Sequence, residues 1–266
     1  MKPDIKKQYG PWCLIAGAST GIGLSFSRQI AAKGLNLVLI ALPNTGLNQL
    51  AESLKSEFKI DIIAVELDLS HPDFLSTLSL ITNDVEIGLV VYVACYSVIG
   101  KFLDLSEEDK LKIIDVNIKA PTQLLSHYLP SMESQQRGGV IIMSSMSGWQ
   151  GTSMVSTYAA TKAFNTVLAE GLWAELKPKG IDVLAMVAGA THTPTFDSLT
   201  PSEKQASVFP MNADDVAKEA LRNLGKKPTH IAGLINKTVG FFTNRLLSRK
   251  AAIRFISSNT ERVYLD

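Results

Sequence analysis

Cysteine is scarce in this chain: Cys13 and Cys95 are the only two in 266 residues, far apart and each inside an apolar run. Two buried apolar side chains are the expectation at such positions, rather than a disulfide or a redox pair. Histidine is equally sparse. His71, His127, His192 and His230 are scattered without metal-ligand spacing, so no metal site is expected. An excess of either charge is also missing. The 26 Lys and Arg face 25 Asp and Glu, and a net charge of +1 gives no global reason to expect a nucleic-acid partner. No apolar stretch reaches the roughly 18 residues of a spanning helix, and the first apolar run, 12–18, is too short for a signal-peptide core. These absences make a cytoplasmic protein the expectation.

What is present is globular material, 46% hydrophobic and 19% charged. The length suits one large domain spanning 1–266, with a core that needs neither disulfide nor metal. Short runs rich in Val, Ile and Leu at 12–16, 36–41, 61–65, 88–94, 140–144 and 182–187 are apolar at nearly every position. Parallel strands covered on both faces read this way. Between them, 21–33, 46–58, 72–82, 106–129 and 158–177 are long enough for helices, and Leu47, Leu50, Leu54 and Phe58 repeat at helical spacing. The alternation predicts an α/β fold: a single Rossmann-type, doubly wound parallel sheet with helices on both faces. Ligands of such sheets sit at the carboxyl ends of the strands.

Directly after the first strand comes Gly17-Ala-Ser19-Thr20-Gly21-Ile22-Gly23, opening into a helix. Glycines permit a tight turn and close approach of a pyrophosphate, whose charge is met by the helix N-terminus. Asp68, followed by Leu69, ends the third strand. It could accept a hydrogen bond from an adenine amino group or cap the next helix, and both readings stand open. The second strand ends Ala41-Leu42-Pro43-Asn44-Thr45. An acid there would bind a ribose 2′-hydroxyl and repel a 2′-phosphate, whereas an arginine would attract the phosphate. Neither is present, and Ser19, Thr20, Asn44 and Thr45 offer hydrogen bonds, so NADP(H) is favoured with NAD(H) left open.

Tyr158 and Lys162 stand four apart at the start of a predicted helix and project from one face. A nearby ammonium, together with an oxidised nicotinamide ring, favours phenolate and moves tyrosine toward the range useful for acid–base chemistry. Ser145 closes a strand, so its hydroxyl can converge with the phenol on one carbonyl oxygen. Asn117 lies mid-helix, an unfavourable place unless its amide is used.

Gly17-x-x-x-Gly21-Ile22-Gly23, Asn117, Ser145 and Tyr158-x-x-x-Lys162, in this order and spacing, resemble the short-chain dehydrogenase/reductase family over about 12–193. The resemblance implies a nicotinamide-dependent oxidoreductase that interconverts a carbonyl and an alcohol. It makes Tyr158 the general acid in reduction and the base in oxidation, and Ser145 the group that orients the substrate oxygen. Lys162 would hold the nicotinamide ribose and lower the tyrosine pKa, and Asn117 would support a water relay. Thr193 matches the residue that meets the nicotinamide carboxamide. Pairing into a homodimer or homotetramer through 106–129 and 158–177 is also implied.

Three departures from the family stand out. Asn-Asn-Ala-Gly after the fourth strand is Tyr92-Val93-Ala94-Cys95, Pro-Gly after the sixth is Ala188-Gly189, and the frequent arginine after the second is Leu42. They motivate an alternative, a non-catalytic dinucleotide-binding or interaction protein that keeps the fold. The cofactor set expected here therefore includes Ala94 and Gly189 at altered motifs. Residues 193–212 have few structure formers and read as a flexible substrate lid. Its Phe196, Leu199, Val208, Phe209 and Met211 suggest a lipophilic substrate, ketoacyl or sterol-like, or else simple packing on the core. Every charged residue in 220–260 is basic, interleaved with apolar side chains. The basic amphipathic segment 233–266 is open to two readings: a surface contact with an anionic membrane, or a helix packed on the body or a second subunit.

Overall fold

The computed structural model describes residues 5–264. The sequence-derived domain, 1–266, therefore has its outermost residues outside the described part. Seven strands form one sheet in the order β3-β2-β1-β4-β5-β6-β7, every neighbouring pair parallel. They are β1 (Trp12–Ala16), β2 (Asn36–Ala41), β3 (Ile62–Glu66), β4 (Ile87–Tyr92), β5 (Gly138–Ser145), β6 (Ile181–Ala188) and β7 (Thr229–Ile231). The doubly wound architecture expected from the alternation is present. The edge strand β7, three residues long, carries no readable pattern in the sequence and was not anticipated.

Successive strand residues feed opposite cores. In β1, Cys13 and Ile15 enter one cluster while Leu14 and Ala16 enter the other; in β2, Leu37 and Leu39 oppose Val38 and Ile40. This two-sided burial is why the strands are apolar throughout. On the first face lie α2 (Gly21–Ala31), α3 (Leu47–Phe58) and α10 (Ala213–Asn223), whose Phe26, Leu54 and Val216 are fully buried. A short α1 (Ile5–Tyr9) precedes the sheet. The second face is covered by α4 (Phe74–Ile81), α6 (Ala120–Ser134) and α7 (Ser156–Leu176).

The single helix expected over 106–129 is three segments: α5 (Glu107–Ile114), a π-helical turn (Asp115–Lys119) and α6. Ser106 caps α5 by accepting from the Asp109 amide, and three acids occupy its first turn. In the wider turn the Ala120 amide reaches to the Asp115 carbonyl, and the Val116 carbonyl, its α-helical partner, accepts from the Tyr92 phenol instead. Residues 193–212, expected to lack structure, hold α8 (Pro194–Leu199), α9 (Ser202–Gln205) and a 3₁₀ turn. The Thr193 hydroxyl accepts from the Phe196 amide and so starts α8. The chain continues through α11 (Leu234–Phe241), a second π turn (Phe242–Leu246) and α12 (Arg249–Tyr264). No helix among the described residues is long and apolar enough to cross a membrane.

At the amino end of β6, the buried Asp182 carboxylate accepts from Tyr9 Oη and Gln8 Nε2 at 2.8 Å and from Lys177 Nζ at 2.6 Å. Burial, reinforced by this carboxylate, pushes the Tyr9 phenol well above its ordinary pKa. The cluster ties α1 and the end of α7 to the sheet, at the opposite end from the site described below. Replacing Asp182 with Ala strands these donors, and a stability loss of about 2–3 kcal/mol is expected in urea denaturation, since bonds to charged groups are the stronger class. An unchanged midpoint would show that the cluster contributes nothing.

Candidate active site

The strand order reverses between β1 and β4, and a crevice opens there at the carboxyl ends. The turn leaving β1 is pressed against the segment leaving β4. Gly17, at φ +82°, has Ala94 N only 2.7 Å from where a Cβ would be, and a Cβ on Gly23 would lie 1.7 Å from the Gly17 carbonyl oxygen. The Ile40 carbonyl accepts from Gly17 and Ala18, and the Ala16 carbonyl from Val93 and Ala94, which fixes the turn to both neighbouring strands. No side chain caps the N-terminus of α2 and no acid stands in its first turn. A glycine-walled turn leading to uncapped helix amides fits a dinucleotide pyrophosphate.

These elements frame a cavity of about 750 Å³ that runs from the α2 turn to the far end of α12. Gly17, Ser19, Thr20, Gly21, Ile22, Asp68, Leu69, Ala94, Gly189 and Thr193 all line it, and Gly23 lies beneath it against Gly17. Asp68 does not cap α4. Its Oδ1 accepts from the Ser70 amide and hydroxyl, and Lys112 Nζ stands 3.4 Å from Oδ2. Burial works to raise the Asp68 pKa, but the Ser70 hydrogen bonds and the Lys112 ammonium prevail and hold it low. Thr45, which donates to the Leu42 carbonyl, lines the cavity beside Leu42; Asn44 takes the left-handed turn at φ 62°.

Ser145, Tyr158 and Lys162 meet in the same space, whereas Asn117 is buried and does not line it. Ser145 ends β5, with Ser147 Oγ 2.7 Å from its own Oγ. Tyr158, in the first turn of α7, faces the cavity as Ser145 does. Ser144 Oγ donates to the Lys162 carbonyl at 2.7 Å, which docks α7 on β5 and sets the relation between Ser145 and Tyr158. The Lys162 ammonium lies 5.6 Å from the Tyr158 ring centre and donates to the Met143 carbonyl at 3.1 Å. Burial raises the Tyr158 pKa and Cys95 adds to it, while Ser145 works the other way. The protein's own groups, burial first, favour the neutral phenol.

Asn117 is fully engaged. Its Oδ1 accepts from the Tyr96 amide at 2.9 Å, and its Nδ2 donates to the Tyr96 carbonyl at 2.9 Å and Thr161 Oγ1 at 3.1 Å. It thereby holds the segment after β4 against α7. Tyr92, at the first altered motif, is buried and donates from its phenol to the Val116 carbonyl of the π turn at 2.5 Å. At the second altered motif, a Cβ on Gly189 would meet the Asn236 side chain at 2.4 Å, so α11 is seated there.

Several expectations are corrected. Cys13 is buried, but Cys95 is exposed, because β4 ends at Tyr92 and the following residues run along the cavity wall. Phe196, Leu199 and Val208 face the cavity as a lid would, whereas Phe209 projects into solvent and Met211 packs beneath Gly233 on the core. The sequence reading missed α12 as a wall. Ile256, Asn259, Thr260, Val263 and Tyr264 all line the cavity. Thr260 meets Thr152 at 3.1 Å, Ser257 accepts from the Ser153 amide at 3.1 Å, and Arg249 donates to the Trp149 carbonyl at 2.6 Å. The signal was the stripe Ala252, Ile256, Thr260, Val263 at helical spacing, which the interleaved basic residues obscured.

The model of the short-chain dehydrogenase family matches residues 11–204. The chain belongs to that family. As a short-chain dehydrogenase it is a nicotinamide-dependent oxidoreductase that interconverts a carbonyl and an alcohol. It is 32% identical over 234 residues to a 7beta-hydroxysteroid dehydrogenase of Clostridium sardiniense, covering 88% of this chain and 90% of that one. A very-long-chain 3-oxoacyl-CoA reductase of Meyerozyma guilliermondii is 29% identical, over 82% of this chain and 66% of its own. Among solved structures, one from a study of 7beta-hydroxysteroid dehydrogenase stereoselectivity superposes with a TM-score of 0.89 at 30% identity, covering 95% and 98% of the two chains. A short-chain dehydrogenase of Sphingobium yanoikuyae in complex with NADPH gives a TM-score of 0.74 at 29% identity, over 84% and 87%.

The glycine turn gives this dehydrogenase a direct test. Gly23→Ala forces a Cβ against the Gly17 carbonyl, and NADPH affinity, read by energy transfer from Trp, is expected to fall at least about tenfold. Retained affinity would show that the turn can shift without harm to the cofactor site.

Proposed function

We propose that the chain is an NADP(H)-dependent reductase of bulky lipophilic ketones, with a hydroxysteroid-type substrate favoured over a ketoacyl chain. The observation that carries this reading is the convergence of Ser145 and Tyr158 on a cavity whose outer walls are the apolar lid and α12. Likeness to the 7beta-hydroxysteroid dehydrogenases over nearly the whole chain supports the substrate class. Preference for NADP(H) rests on Ala41 and Leu42, which offer no carboxylate against a 2′-phosphate, and on Ser19, Thr20 and Thr45 nearby. Gly17, Gly21, Ile22 and Gly23 would take the pyrophosphate, Asp68 and Leu69 the adenine, and Ala94, Gly189 and Thr193 the remainder.

The bound nicotinamide supplies hydride to the carbonyl carbon. Ser145 donates a hydrogen bond that orients and polarises the substrate oxygen. Tyr158, held neutral by burial, gives that oxygen its proton in reduction, and as phenolate takes one from the alcohol in oxidation. Lys162 holds the nicotinamide ribose and supplies the charge that assists phenolate formation. Asn117 keeps the segment after β4 in place and supports the relay that returns a proton to Tyr158. Apolar walls exclude water from the reacting centre.

The deciding experiment pairs NADPH and NADH titrations with turnover on ketosteroids and 3-oxoacyl thioesters. Tyr158→Phe should bind NADPH as the wild type does while turnover falls about a hundredfold or more, the usual share of a general acid. Full turnover in that variant would overturn the assignment.

We further propose that two copies pair through α5, α6 and α7. Leu111 and Ile114 on α5 and Val167 on α7 are exposed apolar side chains with no cover in the single chain. Val167→Glu is expected to shift the solution mass toward the monomer in light scattering, and an unchanged mass would refute the pairing.

A further inference from the structure

The surface helix α11 is inverted relative to the usual pattern. Its inward side is Asn236 and Gly240, with Thr243 following in the π turn. Gly240 lies so close to Trp149 that a Cβ would sit 2.0 Å from the indole ring. On the opposite side of the helix, Leu234, Ile235, Phe241 and Phe242 are exposed, Leu234 to 79% and Phe241 to 62%. A solvent-facing side is ordinarily polar. The apolar surface continues in both directions. Leu246, Ile253 and Phe255 extend it onto α12, where the Phe242 and Phe255 rings meet edge to face at 6.5 Å. At the other end Phe209, exposed at the tip of the lid, shares a shallow groove with Leu234 and Ile235.

The rim of this surface is basic. Arg245, Lys250 and Arg254 are exposed, and among the described residues no carboxylate pairs with them. No acidic residue occurs anywhere in 220–260. Two-fold pairing of this face with a second copy would bring the basic rim against itself. A partner that is apolar in depth and negative at its surface matches both features.

We propose that the outer face of α11 and α12, with the lid tip, docks on an anionic lipid bilayer. Aromatic and aliphatic side chains enter the boundary between headgroups and acyl chains, and the cations stay with the headgroups. The opposite side of α12 walls the cavity through Ile256 and Thr260, and the lid does so through Phe196 and Val208. The docked face therefore lies at the cavity mouth, where a lipophilic substrate passes from bilayer to enzyme without crossing bulk water. This delivery rests on the reductase reading; the docking does not.

The test is flotation of the full chain with phosphatidylcholine vesicles, with and without phosphatidylglycerol. Binding to the anionic vesicles alone is expected, with release as salt screens the contact. The pairs Phe241→Ser with Phe242→Ser, and Lys250→Glu with Arg254→Glu, should each weaken binding about tenfold, while unchanged NADPH binding shows that the fold is kept. No flotation, equal flotation with neutral vesicles, or variants that bind like wild type would overturn the proposal. So would self-association abolished by the Phe pair without vesicle binding, which makes the face an interface between copies. A Tyr158→Phe chain should still float, so failure of the catalytic reading is distinguishable from failure of the docking.

Discussion

Where β1 gives way to α2, the backbone comes so near the segment leaving β4 that Gly17 has no room for a Cβ, and Gly23 has none against the Gly17 carbonyl. Much of the site depends on this approach. It leaves the first amides of α2 bare toward the crevice, and it fixes the height at which the chain after β4 must run. That segment is gripped from the other side by Asn117, which spends its amide on Tyr96 and Thr161. Because Thr161 belongs to α7, the same contacts set the cofactor turn relative to Tyr158. Two close backbone approaches and one asparagine thus join the nucleotide half of the crevice to its chemical half.

The two altered motifs show how such a frame tolerates change. Tyr92 brings a phenol into the core but delivers it to the Val116 carbonyl, so no buried hydroxyl is left without a partner. Gly189 keeps the space into which Asn236 reaches. The first change thus brings its own partner, and the second leaves the glycine against which Asn236 packs. The sequence alone could not show this, because the partners Val116 and Asn236 lie far along the chain from the residues they meet.

Legibility followed the length and regularity of the signal. Strands buried on both faces declare themselves by continuous apolar runs, and six of the seven were readable; β7 offers only Thr229, His230 and Ile231. The glycine turn, Ser145, Tyr158 and Lys162 were readable because order and spacing constrain them jointly. The break at 115–119 was not, since the Val116 carbonyl is taken by Tyr92, distant in the sequence, inside a stretch otherwise fit for helix. The exposure of Cys95 depends on where β4 stops. The direction of the Tyr158 pKa depends on how deeply the phenol is buried, and neither is written in local pattern. Residues 249–264 misled in another way, for one helix serves two faces and its charges drew attention from its apolar stripe.

The division of labour along the chain has a consequence for how the protein can change. Residues 11–204 match the family and carry the glycine turn with Ser145 and Tyr158, whereas part of the cavity wall is supplied by 249–264. Side chains such as Ile256, Asn259 and Thr260 reach the cavity from a helix held to the body by the buried Ala252 and Val263, by the Thr260 and Ser257 hydroxyls and by Arg249. Under the proposed reading, substrate preference can be redesigned at the cavity-facing positions of these sixteen residues, which lie apart from Ser145 and Tyr158. A combinatorial library confined to that helix would explore shape while holding the reaction constant.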